Sequence, residues 1–185
     1  MKKLSPLLLV VGMAFLSIAA IAQDLPKFSN QPMLLEDGKL KDLEKQMSEV
    51  KMKAKGMGYG GTSSYMSILG RSSTVVTGIT PEFVVKMKEV DVDPSTIFIL
   101  AKCEVKSNRQ IPYMRTSAFA GYGAGGKSVN KDHVQLKFEE YGTEPGAYKI
   151  TTVGQLESGG EYGMYIATTG ATAGSTTPIY CFRVK

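Results

Sequence analysis

Gly121-Tyr-Gly-Ala-Gly-Gly-Lys-Ser128, continued by Val129-Asn-Lys-Asp-His-Val-Gln-Leu-Lys-Phe138, can be read in two ways that imply different folds. Its first half satisfies G-x-x-x-x-G-K-[ST], the phosphate-binding loop that joins a buried parallel strand to a helix in nucleotide hydrolases. Its second half decides against that reading. Val134, Leu136 and Phe138 recur every second residue, the period of a strand, whereas a helix needs apolar residues every three or four. The approach through Tyr113–Ala120 is polar and mixed, not a continuous apolar run. No apolar strand ends in an aspartate for magnesium, because Ile97–Ala101 runs into Lys102. Gly121–Ser128 is therefore expected to be an exposed loop between β-strands, in a chain with 20 glycines among 185 residues. No helix is expected at Lys127 or Ser128, and no nucleotide or other cofactor.

The same period extends outward in both directions. Thr96–Lys106 is the strongest strand: Ile97-Phe-Ile-Leu100 is apolar on both faces, then Lys102, Glu104 and Lys106 separate from Ala101, Cys103 and Val105. That is a central strand leaving the core at its far end. Phe83–Lys88, Val50–Lys55, Tyr65–Leu69 and Thr74–Thr77 read as strands upstream. Ala147–Thr152, Glu161–Thr168 and Ile179–Val184 follow downstream. Gln110–Arg115 contains Pro112, which places it at a sheet edge. Met33–Glu36 and Lys39–Lys41 flank Asp37-Gly38, a hairpin signal. Residues 39–47 stay open between helix and strand, since Leu40, Leu43, Met47 and Val50 also suit one helical face. About ten short strands between turns indicate an all-β, antiparallel sandwich.

Leu156-Glu-Ser-Gly-Gly-Glu-Tyr162 has the L-x-x-G-x-x-Y spacing of the tyrosine corner in immunoglobulin-like and fibronectin-like sandwiches. Leu156 would plug the core, and the Tyr162 hydroxyl would bond back to the backbone. Together with PEFVVKM (Pro81–Met87), DPSTIFILAKCEVKSNR (Asp93–Arg109), YKI and the late YCFRV, this order resembles uncharacterised secreted β-sandwich proteins of Gram-negative bacteria, over about residues 81–185. The resemblance implies a sandwich and an exported location. It brings no activity or catalytic residue with it.

Residues 1–22 carry Lys2 and Lys3, an apolar run from Leu7 to Ile21 and the small-residue end Ala20-Ile21-Ala22. This is the layout of a cleaved secretory signal peptide. The exported chain would begin at Gln23 and form a single domain over 23–185, periplasmic or secreted and not an integral membrane protein. Losing Lys2 and Lys3 lowers the formal charge from +5 to +3, too little to point to nucleic acid.

Chemistry-bearing residues are sparse. His133 is the sole histidine, beside Asp132, and tryptophan is absent. Two cysteines and one histidine do not complete a zinc site. Asp91-Val-Asp93 offers too few oxygens for calcium and reads as a polar turn before Pro94. For Cys103 and Cys181 the considerations conflict. Export favours a disulfide. The strand pattern opposes it, since Cys103 lies with Ile97 and Ile99 while Cys181 lies opposite Tyr180, Phe182 and Val184.

These observations point to an exported, non-enzymatic structural or binding module. Its Gly/Tyr-rich loops Gly56–Ser64 and Phe119–Val129 are the contact surface, with Tyr59, Tyr65, Phe119 and Tyr122 as ligand-binding residues. The partner would be a protein or a glycan at the cell envelope. Lys51, Lys53 and Lys55 form a basic stripe able to attract anionic glycans, or to keep a sheet from pairing edge to edge. The alternative is a glycan-acting enzyme with paired carboxylates drawn from Glu139, Glu140, Glu157 and Glu161.

Overall fold

The computed structural model of the chain describes residues 24–54, 62–119, 122–128, 132–167 and 173–185, with backbone alone at 54, 62, 113–119 and 122–128. Residues 1–22, expected to be a signal peptide, lie outside these residues. Strands β1 (Met33–Glu36) and β2 (Lys39–Asp42) form the expected hairpin, with Asp37 at φ +52° and Gly38 at φ +73°. Both values suit the two central positions of a type I′ turn. The ambiguous 39–47 is strand: β3 covers Glu44–Ala54. Then come β4 (Thr62–Ile68), β5 (Val76–Thr77) and β6 (Glu82–Lys86). A single 3₁₀ turn at Pro94–Thr96, capped by the Asp93 carboxylate on the Ser95 N–H, precedes β7 (Phe98–Lys102) and β8 (Glu104–Val105). The remaining strands are β9 (Arg109–Phe119), β10 (Tyr122–Ser128), β11 (His133–Val134), β12 (Leu136–Glu140), β13 (Ala147–Thr152), β14 (Glu161–Ile166) and β15 (Thr176–Val184).

Three expectations need correction. Gly121–Ser128 is not a loop: Tyr122–Ser128 is β10, paired antiparallel with β9. Glycine there removes side-chain bulk without removing the backbone donors and acceptors a ladder needs. No helix begins at Lys127 or Ser128. Pro112 does not mark an edge, since β9 lies between β4 and β10. It sits at a bulge, where Ser64 opposes Met114 while Tyr65 opposes Pro112. A bulge accommodates a residue that has no N–H to give the ladder. The alternation from His133 to Glu140 is real but divided, with β11 and β12 in different sheets.

The strands form two sheets. The smaller has the order β12-β13-β6-β1-β2, and the larger β10-β9-β4-β3-β15-β14-β7-β11. All pairings are antiparallel except β5 with β15. The larger sheet curls. In a flat sheet β14 and β9 would lie four strand spacings apart, about 19 Å. Yet a Cβ built on Gly163 of β14 would stand 3.0 Å from Ile111 of β9 and 2.6 Å from Ile179 of β15. The curl is tied off at one end, because β8 continues the line of β7 and pairs with β9. The result is a half-barrel whose hydrogen-bonded path returns on itself there.

Strands β7, β14 and β15 are consequently buried on both faces. Phe98, Leu100, Tyr162, Met164, Tyr180 and Phe182 pack towards Phe83, Val85 and Ile150 of the smaller sheet. Ala101, Cys103, Tyr165, Ile179 and Cys181 point into the half-barrel, against Val50, Met66, Ile68 and Ile111. This explains the two-sided hydrophobicity of Ile97–Leu100. The corner at Leu156–Tyr162 forms as its spacing implied: Leu156 is buried, Gly159 has φ +75°, and the Tyr162 hydroxyl accepts the Glu157 N–H at 3.0 Å. The Tyr162 ring stacks on Phe182 with centroids 5.6 Å apart, which anchors the turn to the shared wall.

Candidate functional site

A cleft of about 400 Å³ lies along β3, β4, β8 and β9, lined by Lys53, Ser63, Ser64, Tyr65, Glu104, Lys106, Gln110 and Pro112. The bulge opposite Tyr65 breaks the flat ladder here and lets the surface become concave. Lys106 donates to Glu104 at 2.8 Å and to the Gln110 side-chain oxygen at 3.4 Å, fixing one wall. Tyr65 is half-buried, with Ser63 and Ser64 beside it on the strand. The cleft thus combines one flat aromatic face, hydroxyl and amide groups, and two ammonium groups, one of them paired with the Glu104 carboxylate.

Of the four residues expected to bind a ligand, Tyr65 lines this cleft. Tyr59 lies outside the described residues. Phe119 and Tyr122 are opposed across the end of the β9–β10 hairpin. Residues 56–61 of the first Gly-rich stretch lie outside the described residues; β4, which holds its end, pairs with β9, so the β3–β4 and β9–β10 pairs are neighbours in one sheet. Register does more. Lys53 opposes Ser63, Ser63 opposes Arg115, and Arg115 opposes Lys127. One cross-strand row therefore carries three basic residues from four strands.

The strongest electrostatic feature was not singled out by sequence reading. Arg109 is 1% exposed at the closed end of the half-barrel. Its Nη2 donates to Glu44 at 2.6 Å and to the Leu69 carbonyl at 2.9 Å. Glu161 stands 3.8 Å from Nη1 and accepts from the Ser72 hydroxyl at 2.6 Å and the Ser73 N–H at 2.9 Å. Burial opposes ionisation of Glu44. Hydrogen bonds from Arg109, Ser73, Thr74 and Gln46 outweigh it and bring the pKa down to about 2. Burial likewise works against the Arg109 charge, and Glu44 restores it, raising the guanidinium pKa. A reactive acid or base needs a pKa near the working pH. Glu44 and Arg109 are pushed away from it, so this cluster holds strands together. The sequence signal was faint: an arginine and two glutamates, each at the first position of a strand.

Cys103 and Cys181 are both buried free thiols. They share the half-barrel core, because both faces of the wall are interior; the face argument that set them apart fails. They still occupy strands separated by β14. Cys181 opposes Gly163, which opposes Ala101, two residues short of Cys103. Two strand spacings are about 9–10 Å, beyond the ~7 Å that a disulfide spans between Cα atoms. Burial pushes both thiols up, Cys181 to about 12, and an un-ionised thiol is a poor nucleophile.

Of the carboxylates offered for glycan hydrolysis, Glu140 lines a small cleft with Glu144 and Tyr148. Glu139 pairs with Lys137, Glu157 with Lys102, and Glu161 is committed to the Arg109 cluster. His133 is half-buried on β11, and burial lowers its pKa against the pull of Asp132. Among the described residues no group of three metal-ligating side chains converges, and no helix is long and apolar enough to cross a membrane. No family model, curated protein or solved structure matches this chain.

Proposed function

We propose that this chain is an exported, non-enzymatic binding module that takes a partner of the cell envelope in the cleft around Tyr65. The observation that carries the reading is the contrast between its polar groups. The charged groups at Arg109 are buried and pair across strands, whereas the polar side chains of the cleft line an open concavity beside the Tyr65 ring. Aromatic rings flanked by hydrogen-bonding groups suit recognition without chemistry. In finer terms we read the two sheets as an elaborated immunoglobulin/fibronectin-like sandwich. The tyrosine corner at Leu156–Tyr162 supports that reading. Export rests on the layout of residues 1–22, and N-terminal mapping of the released form should find Gln23 first.

Retention of labelled protein on isolated envelope fractions tests the function. Tyr65→Ala should weaken retention about tenfold, the loss of a well-buried contact, with the thermal transition kept within a few degrees. Equal retention of the variant would overturn the site. Turnover of envelope glycans by the wild-type protein would overturn the non-enzymatic reading.

A further inference from the structure

We infer that the ligand is a neutral, N-acetylated sugar unit stacked on the Tyr65 ring, with the Gln110 amide as the group that selects the acetamido substituent. This rests on the cleft around Tyr65 being a binding site, and it goes further by naming the ligand's chemistry and the contact that sets specificity.

Register sets the frame. Ser63 and Tyr65 are two residues apart on β4, so they share a face and stand about 7 Å apart. Pro112 opposes Tyr65 on β9, and Gln110, two residues along, opposes Ser67 on the far side of the ring. A half-buried aromatic face thus has a hydroxyl to one side and an amide to the other, all lining one cleft of about 400 Å³. A pyranose matches this layout. Its apolar face packs on the ring, and its equatorial substituents reach the polar groups on either side. Charge within the cleft points to a neutral ligand. The Glu104 carboxylate is paired with Lys106, and the other ammonium, Lys53, is exposed to solvent. The acetamido group follows from Gln110. Its side-chain oxygen accepts from Lys106 at 3.4 Å, which leaves the NH₂ group, a donor only, for a ligand. An amide carbonyl is the best uncharged acceptor a sugar carries. A peptide fits less well: β3, β4 and β9 are interior strands whose ladder groups are spent, so they open no edge for strand addition.

The test is calorimetry on the exported chain with triacetylchitotriose, cellotriose and trigalacturonate as probes. Triacetylchitotriose should bind about tenfold more tightly than cellotriose, the worth of one good hydrogen bond, and its affinity should hold as salt rises. Tyr65→Ala should abolish binding of both. Gln110→Glu puts a carboxylate where the NH₂ stood; it should erase the preference and keep the binding of cellotriose. Lys106→Met, which releases the Gln110 side chain, should narrow the preference. Equal affinity of the wild type for the two neutral sugars overturns the acetamido assignment. Tighter, salt-sensitive binding of trigalacturonate overturns the neutral ligand. An unchanged preference in Gln110→Glu overturns Gln110 as the selecting group. Tyr65-dependent retention on envelope fractions with no sugar bound, or retention lost once those fractions are treated with protease, overturns this inference and leaves the binding module standing. Indifference of both sugar binding and retention to Tyr65→Ala removes both.

Discussion

Glu44→Gln isolates the charge in the buried cluster without altering its shape. In the wild type, Glu44 Oε1 accepts from Arg109 at 2.6 Å and from Gln46 at 3.0 Å, and Oε2 accepts the Thr74 N–H at 2.8 Å. A glutamine keeps only one acceptor oxygen, so one of these donors must face an amide NH₂. The fall of the Glu44 pKa from 4.5 to about 2 sets a ceiling of about 3 kcal/mol on its contribution at neutral pH. The side chain is 12% exposed and reaches the cluster's rim, so solvent screens part of that, and we take about 2 kcal/mol. The sign is fixed by the direction of the shift. The folded pKa is depressed, so the stabilisation is fully present above about 4.5 and is lost as pH falls through about 2. Urea titrations of both proteins at pH 7, 5 and 3 measure it. The variant should be less stable by about 2 kcal/mol at pH 7 and 5, with the gap narrowing at pH 3. A gap unchanged from pH 7 to pH 3 would show that packing, not charge, holds this end of the half-barrel.

Tyr162→Phe removes the acceptor of the Glu157 N–H and should cost about 1 kcal/mol in the same titration at pH 7, with fluorescence and circular dichroism transitions still coincident. Gly163→Ala places a Cβ 2.6 Å from Ile179 and 3.0 Å from Ile111, and should cost about 1–3 kcal/mol through overpacking, whereas Gly154→Ala, whose Cβ would meet nothing within 4 Å, tests backbone strain alone. Cys103 and Cys181 should resist iodoacetamide in native protein at pH 8 and both react after unfolding without reductant; a mass shift of only one alkyl group would show that something else occupies a thiol.

The all-β class was legible because alternation is local. Val134, Leu136 and Phe138 need only their own neighbours to announce a strand, and Asp37-Gly38 needs only a turn. The corner was legible for the same reason, since its parts lie within Leu156–Tyr162. What escaped was set by pairing at a distance. Nothing near Pro112 reveals that the bulge fits it into an interior strand. Nothing in Lys53 or Lys127 alone predicts that Ser63 and Arg115 complete a row between them. The two cysteines were set apart by pattern because Tyr180, Phe182 and Val184 were taken as the only core-facing set of β15, but a sheet that curls makes the other face interior as well, and both thiols share it. Sequence period reports which side a residue is on and not what that side meets. Arg109 escaped most completely: its charge argued for the surface, and only Glu44 and Glu161, from strands remote in sequence, make its burial tolerable.

The place of β15 has a consequence for how the chain is made. It is the last strand formed in sequence, yet it lies between β3 and β14 and also holds β5. The bond from Ser48 to the Thr177 carbonyl alone joins residues 129 apart. Neither core can close before residues 176–184 arrive, because Ile179 and Cys181 fill one and Tyr180 and Phe182 the other. A nascent chain arrested at Ser175 should therefore remain sensitive to protease over its whole length. Folding must wait for residues 176–184, and pairings this remote are slow to find. A chain whose two cores both depend on residues 176–184 stays an unfolded thread, open to protease, until those residues are synthesised.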